Sequence, residues 1–215
     1  MMNEFDLSAL IHASGNGTEC SAIVIQAGQR PELWNQFLSL RYLSFGRWEG
    51  SDSALGIETD DQDQFSVFVL VIWEGVVIAG CRLIDGEQTR ISLDPLVVAS
   101  GRHFEISRLL IRSEVKDRGT RERVMFALLQ RVVEYAFKER GYDDFYCDTR
   151  LPFFIGLKRI FGESLEQLGA QHDVEKSGET LALVPMRVNR FRVAEMRRRF
   201  VARLQPEAAA IAQAA

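Results

Sequence analysis

Residues 65–84 read FSVFVLVIW-EG-VVIAGCRLI, and this stretch decides the fold. Two runs dense in β-branched and aromatic residues, Phe65 to Trp73 and Val76 to Ile84, flank Glu74-Gly75. A two-residue connection ending in glycine between such runs predicts a β-hairpin. Upstream, Ser21 to Ala27 (SAIVIQA) is a short strand-type run. Pro31 then opens a helix through Phe45, with proline in the first turn and Leu33, Phe37, Leu40 and Ser44 at helical spacing. Gly46 to Asp63 has no clear period and reads as loop or irregular helix.

Downstream, a third strand is expected within His103 to Arg112. Arg121 to Arg140, with Val124, Phe126, Leu128, Val132, Tyr135 and Ala136 apolar, predicts a long helix stopped by Gly141. Phe145 to Asp148 reads as a strand, Pro152 to Phe161 as a helix stopped by Gly162, and Thr180 to Met186 as a last strand. Asn189 to Leu204 carries Val193, Met196, Phe200 and Leu204 on one helical stripe. A hairpin followed by two strand–helix–strand passages implies an α/β fold: a mixed central sheet with helices on both faces. This order resembles the GCN5-related acetyltransferase (GNAT) fold. The domain organisation expected is a loose arm over residues 1–20, an α/β domain over 21–187 that the resemblance would make an acyltransferase domain, a basic helix over 188–205 and a tail over 206–215.

The 215 residues are 47% hydrophobic and 26% charged, an ordinary globular composition. A net charge of −4 gives no reason to expect a nucleic-acid partner. Cys20, Cys81 and Cys147 are far apart and form no C-x-x-C pair, which argues against a disulfide framework or zinc site and suits a reducing cytoplasm. His12, His103 and His172 have no metal spacing, so no metal is expected. The first residues lack a basic start and the longest apolar run is short, so neither a signal peptide nor a membrane span is expected.

Chemistry is signalled by charges set in or beside apolar strands. Asp60 and Asp63 immediately precede the hairpin, Arg82 interrupts its second strand, and Glu105 and Arg108 interrupt the third in Phe104-Glu105-Ile106-Ser107-Arg108-Leu109. Such a charge must be paired, solvated on one face, or functional. Single charges of this kind are common on half-exposed sheets; the clustering of the set is what singles it out. On a regular strand Glu105 and Arg108, three apart, point to opposite faces. A bulge between them would bring both toward one cleft and free a backbone N–H as an oxyanion donor.

Arg41-(three)-Phe45, Asp60-(two)-Asp63, Gly80-Cys81-Arg82-Leu83 and Glu105-Ile106-Ser107-Arg108, in that order, resemble the acyl-homoserine-lactone synthase (autoinducer synthase) family and the related N-acyl amino acid synthases. The resemblance spans about Arg41 to Arg108, with weaker support at Leu157 to Gly162 and Leu165 to Gly169. It implies acyl transfer from the phosphopantetheine thioester of an acyl carrier protein to an amine, without a bound cofactor. In the autoinducer synthases that amine belongs to S-adenosylmethionine, and lactonisation releases methylthioadenosine to complete a quorum-sensing signal. Glu105 falls on the position proposed as general base there, with Ser107 and Arg108 beside it. Arg41, Phe45, Trp48, Asp60, Asp63 and Arg82 fall at the acceptor end. A semi-buried carboxylate suits the base role, because an α-ammonium must lose a proton before it attacks a thioester. The arginines suit ion pairs that organise the carboxylates or hold an acceptor carboxylate.

Trp48 stands three residues beyond Phe45, closer than in the autoinducer synthases, and about forty residues precede Arg41. Both departures favour a free amino acid as acceptor. A module that binds carrier protein or acyl ligand without catalysis is the reading from another class. The turn Lys116-Asp117-Arg118-Gly119-Thr120-Arg121 departs from the phosphate-binding R/Q-x-x-G-x-G/A of CoA-dependent acetyltransferases by placing Arg121 where a small residue belongs. Arg121 is expected to crowd a pyrophosphate, which favours a carrier-protein donor.

Seven arginines against one glutamate lie between Arg187 and Arg203. Arg197 and Arg198, with Lys116, Arg118 and Arg121, form the expected docking patch for an acidic carrier protein; contact with a membrane is not expected. Phe126, Phe145, Tyr146, Phe153 and Phe154 are the candidates for an acyl-chain wall, although such residues are more often plain core.

Overall fold

The computed structural model describes residues 20–46, 51–52, 54–93, 101–176 and 179–190. These form two compact units, one from residues up to 91 together with 104–141, the other from 92–103 together with 142 onward. The arm expected over residues 1–20 lies outside them apart from Cys20, as do the arginine-rich positions after Arg190.

In the first unit β1 (Cys20–Gln26) is followed by α1 (Pro31–Phe45), the short pair β2 (Ser51–Asp52) and β3 (Ile57–Glu58), and a 3₁₀ turn (Asp61–Phe65). Then come β4 (Ser66–Trp73), β5 (Val76–Asp85), β6 (His103–Ile111) and α2 (Arg118–Val133), which runs on into a π-helical turn (Glu134–Glu139). The sheet order is β1-β4-β5-β6 and every neighbouring pair is antiparallel. At the β4–β5 turn both Glu74 (φ 47°) and Gly75 (φ 76°) are left-handed, the geometry that matches strand twist in a two-residue hairpin. Gln36 of α1 grips this turn. Its Nε2 donates to Gly75 O (3.1 Å) and its Oε1 accepts from Val77 N (2.8 Å).

Helix α1 lies on the face carrying Phe68: the Trp34 and Phe37 rings meet Phe68 at 4.5 and 5.7 Å between centroids. The approach is close enough to require glycine at position 80, where a Cβ would fall 2.6 Å from the Phe37 ring. Val69 and Val71 point the other way yet are fully buried, because α2 covers β4, β1 and β5. The sheet therefore has helices on both faces, as expected. The long helix starts at Arg118 rather than Arg121, because Asp117 caps it.

The second unit is built around β10 (Glu179–Asn189). Along one edge β10 pairs with β7 (Asp144–Arg150); along the other it pairs with β8 (Leu165–Gln167) and β9 (His172–Lys176). Helix α3 (Leu151–Phe161) covers the face bearing Phe145, whose ring packs on Phe161 at 5.8 Å. Two expectations change here. β10 runs antiparallel to β7, because β8 and β9 intervene after α3 and turn the chain before it re-enters the sheet. Asn189 still belongs to this strand, where it pairs with Asp144 and its Nδ2 donates to that carboxylate at 2.8 Å. The helix expected from there lies outside the described residues beyond Arg190. No described helix is long and apolar enough to cross a membrane.

Candidate active site

The register between β5 and β6 slips once. Gly80 pairs with Leu110 and Arg82 with Ser107, so Arg108 and Leu109 together stand opposite Cys81. Arg108 takes φ 50°, a left-handed conformation unusual for a residue with a Cβ. This is a bulge of the kind that brings Glu105 and Arg108, three apart, onto one face. Glu105 pairs with Ile84, which places it on the same sheet face as Arg82 and Ser107, and Arg82 Nε donates to Ser107 Oγ at 2.9 Å. The bulge turns the Arg108 side chain onto that face too, where it joins the partners of Arg82.

Three arginines and three carboxylates interlock there. Arg41, on the buried stripe of α1, donates through Nε to Glu58 and through Nη1 to both Asp63 oxygens at 2.9 and 3.0 Å. Arg82 Nη1 donates to Asp60 and to Asp63 Oδ1, the latter at 2.8 Å. Arg108 reaches Glu58 Oε1 through Nε (3.0 Å) and Nη2 (2.8 Å), and Nη2 also donates to Asp60 Oδ2 at 3.0 Å. Its guanidinium lies over the Phe45 ring, 5.5 Å from the centroid. The charges cancel, three against three, which is what allows Arg41 and Glu58 to be wholly inaccessible to solvent.

Local chain geometry presents the acids. Asp60 accepts from Gln62 N (3.0 Å) and Asp63 accepts from Asp60 N (3.2 Å), a reciprocal capping box at the N-terminal end of the 3₁₀ turn. Burial pushes the Glu58 carboxyl up, but the hydrogen bonds and charges of Arg41 and Arg108 outweigh it and hold Glu58 below its ordinary value. Asp60 is likewise held low: burial opposes ionisation, and the nearby charge of Arg82 overcomes it. Burial works against the Arg41 cation too, yet Glu58 and Asp63 raise its pKa further.

The roles within this frame differ. Asp63 has two oxygens committed to Arg41, Arg82 and the Asp60 N–H, so it is a strut. Asp60 is the most accessible member, with 24% of its side chain exposed. Beside it Arg41 Nη2, 3.9 Å from Asp60 Oδ2, is buried and makes no hydrogen bond. Glu105 is buried, 4% exposed, on the same face. Glu58 escaped the sequence reading; its only signal was its place at the head of the acidic run 58–63, because nothing in that run reveals which acid is buried.

Other expected site residues are dispersed. Trp48, Arg197 and Arg198 lie outside the described residues. Phe145 and Tyr146 are neighbours on β7 and face opposite ways: Phe145 meets Phe161, whereas Tyr146 meets the His103 ring at 5.7 Å. They cannot wall one tunnel together. Phe126 is buried on α2, and Phe153 and Phe154 are half-buried on α3. Lys116 and Arg118 are exposed, with Arg118 paired to Glu122 at 3.2 Å. Arg121 is not an obstacle at the helix start, since it folds back and donates to the carbonyls of Arg112 (3.2 Å) and Val115 (2.9 Å).

No protein-family model matches the sequence, and no curated protein does. Solved structures do match. The acyl-homoserine lactone synthase LasI is 17% identical with a TM-score of 0.63, over 80% of this chain and 91% of that one. BjaI, a CoA-dependent acyl-homoserine lactone synthase solved with SAM and isopentyl-CoA, is 18% identical with a TM-score of 0.60, over 85% and 89%. FeeM, an N-acyl amino acid synthase from uncultured soil microbes, is 13% identical with a TM-score of 0.55, over 81% and 92%. The fold is the acyltransferase (GNAT) fold. Within this acyltransferase fold the ion-pair frame belongs to the first unit alone, built from α1, β3, the 3₁₀ turn, β5 and β6.

Proposed function

We propose that the protein is a cytoplasmic N-acyltransferase that moves a fatty acyl group from an acyl carrier protein thioester to an amine. The observation that carries this reading is the bulge in β6. It sets a buried carboxylate, Glu105, and a guanidinium, Arg108, on one face beside a charge-neutral frame. Glu105, a buried carboxylate on that face, accepts the proton of an α-ammonium. The amine nitrogen then attacks the thioester carbonyl, the C–N bond forms and the C–S bond breaks. The proton held by Glu105 passes to the departing thiolate. Ser107, held by Arg82, and Arg108 position this strand. Asp60 and Phe45 face the acceptor, and Lys116, Arg118 and the arginines after Arg190 meet the acidic carrier.

The acceptor proposed first is S-adenosylmethionine. After N-acylation its carboxylate oxygen displaces methylthioadenosine from the γ-carbon, giving an N-acyl-homoserine lactone for signalling. The second reading is acylation of a free amino acid without lactonisation. The short spacing from Phe45 to Trp48 favours it, because it alters the loop that would shape an adenosyl pocket. Incubation with acyl carrier protein thioesters, S-adenosylmethionine and amino acids, with products identified by mass, tests both. Lactone with methylthioadenosine supports the first and acyl amino acid the second. No turnover with any acceptor overturns both and leaves a binding module.

A further inference from the structure

The ladder between β7 and β10 stops short. Arg150, the last residue of β7, stands opposite Leu183, while β10 runs on to Glu179 with β9 along its other edge. Beside Thr180 to Ala182 the chain leaves the sheet through Arg150-Leu151-Pro152. A cavity of about 630 Å³ opens between this turn, that strand segment and Gln171. The volume is that of a small-molecule site. It lies wholly within the second unit, shares no residue with the ion-pair frame, and is lined by none of the aromatic residues expected to wall an acyl chain.

The wall describes a ligand. Leu151 is 43% exposed there, and Pro152 and Leu181 extend the apolar lining. Arg150 is exposed and makes no hydrogen bond or ion pair among the described residues, so its guanidinium can take a carboxylate in bidentate fashion. The edge of β10 from Thr180 to Ala182 has no strand on its β7 side, which leaves main-chain polar groups for an amide, and Pro152 has no N–H to bond them. The nearby acids belong to the other edge: Asp173 and Glu175 stand on β9, and Glu175 accepts from Thr180 Oγ1.

An apolar wall beside one unpaired cation suits an amphiphile with a single anionic head. We propose that this cavity binds an alkyl carboxylate, its head on Arg150 and its chain along Leu151, Pro152 and Leu181. A free fatty acid and an N-acyl amino acid share that chemistry, and only the second has an amide for the strand edge. The site goes beyond the acyl-transfer reading, because binding there is separate from turnover at Glu105.

The test is calorimetric titration of the full chain with dodecanoate and with N-dodecanoylglycine, each below its micelle-forming concentration. The proteins compared are the unsubstituted chain, Arg150→Gln, Leu151→Asp and Glu105→Gln. The expected dissociation constant is on the order of 0.1 mM, weakened roughly tenfold or more by Arg150→Gln and by Leu151→Asp and unchanged by Glu105→Gln. Tighter binding of N-dodecanoylglycine supports the site with the acylated amino acid as its ligand; tighter binding of dodecanoate supports it with the fatty acid. No binding of either carboxylate, or binding indifferent to both Arg150→Gln and Leu151→Asp, overturns the proposal. Thermal unfolding establishes that each variant is folded, and Arg150→Gln, an exposed substitution, carries the test alone if Leu151→Asp is not. Because no turnover is read, a protein that acylates nothing still answers the question.

Discussion

Arg108 Nη2 donates to Glu58 Oε1 at 2.8 Å, and the two residues lie 50 positions apart in the chain. The contact ties the bulge of β6 to the floor of the frame beneath α1, since the same carboxylate takes Arg41 through its other oxygen. Glu58 is thus the bridge between the two arginines. Substituting Glu58→Gln leaves both guanidinium groups buried with an uncompensated positive charge. Breaking a buried pair from one side costs about 3–5 kcal/mol, far more than losing a surface pair. Chemical denaturation should show that loss for Glu58→Gln, while Glu122→Gln, partner of the exposed Arg118, should move stability by less than about 1 kcal/mol.

The same pairings fix the pH response. Glu58 and Asp60 have folded-state pKa values below their ordinary values of 4.5 and 3.8. In the range between folded and unfolded values the unfolded chain binds more protons, so stability falls as pH falls. The stabilisation is therefore complete above about pH 5 and is lost as pH drops through 4 and below. Unfolding followed by circular dichroism between pH 7 and pH 3 should be flat at first and then decline steeply. Glu58→Gln, less stable throughout, should show a shallower acid slope; an unchanged slope would remove Glu58 as its source.

A third expectation concerns the backbone at Arg108, which holds φ 50° in a strand. Glycine adopts that conformation freely, whereas alanine keeps the steric cost of about 1 kcal/mol while also losing the ion pairs. Arg108→Gly should be less destabilised than Arg108→Ala by roughly that amount in denaturant titrations. Equal stabilities would mean that the bulge relaxes once the guanidinium is gone.

Much of the fold was legible because its strands are dense in β-branched residues and its helices carry plain stops. The hairpin at Glu74-Gly75 and the helix Pro31–Phe45 follow from local signals alone. β8 and β9 were not legible: Leu165–Gln167 is three residues long, and His172–Lys176 is almost wholly polar. They exist because β10 offers both edges, which is information from across the chain. The site divided in the same way. Arg41, Asp60, Asp63, Arg82, Glu105 and Arg108 stood out as charges among apolar residues or close to them. Glu58 follows Ile57 in a two-residue strand and gave no such contrast. At the start of α2 residue size singles out Arg121, whereas the cap on the helix is Asp117, a role that a short carboxylate conceals in any loop sequence.

The last expectation separates chemistry from scaffold. Glu105 is buried on the sheet face that also carries Arg82 and Ser107. If it is the base, Glu105→Gln keeps the shape of the strand and removes only the ability to take a proton. Turnover should then fall roughly a hundredfold or more, and the acid limb of the pH–rate profile should disappear. KM for the amine should change little, because the amide still fills the site. A structural role predicts a different pattern: lower melting temperature, a modest rate loss and an intact acid limb. Comparison of kcat, KM and the pH profile with thermal unfolding of the same variant decides between them.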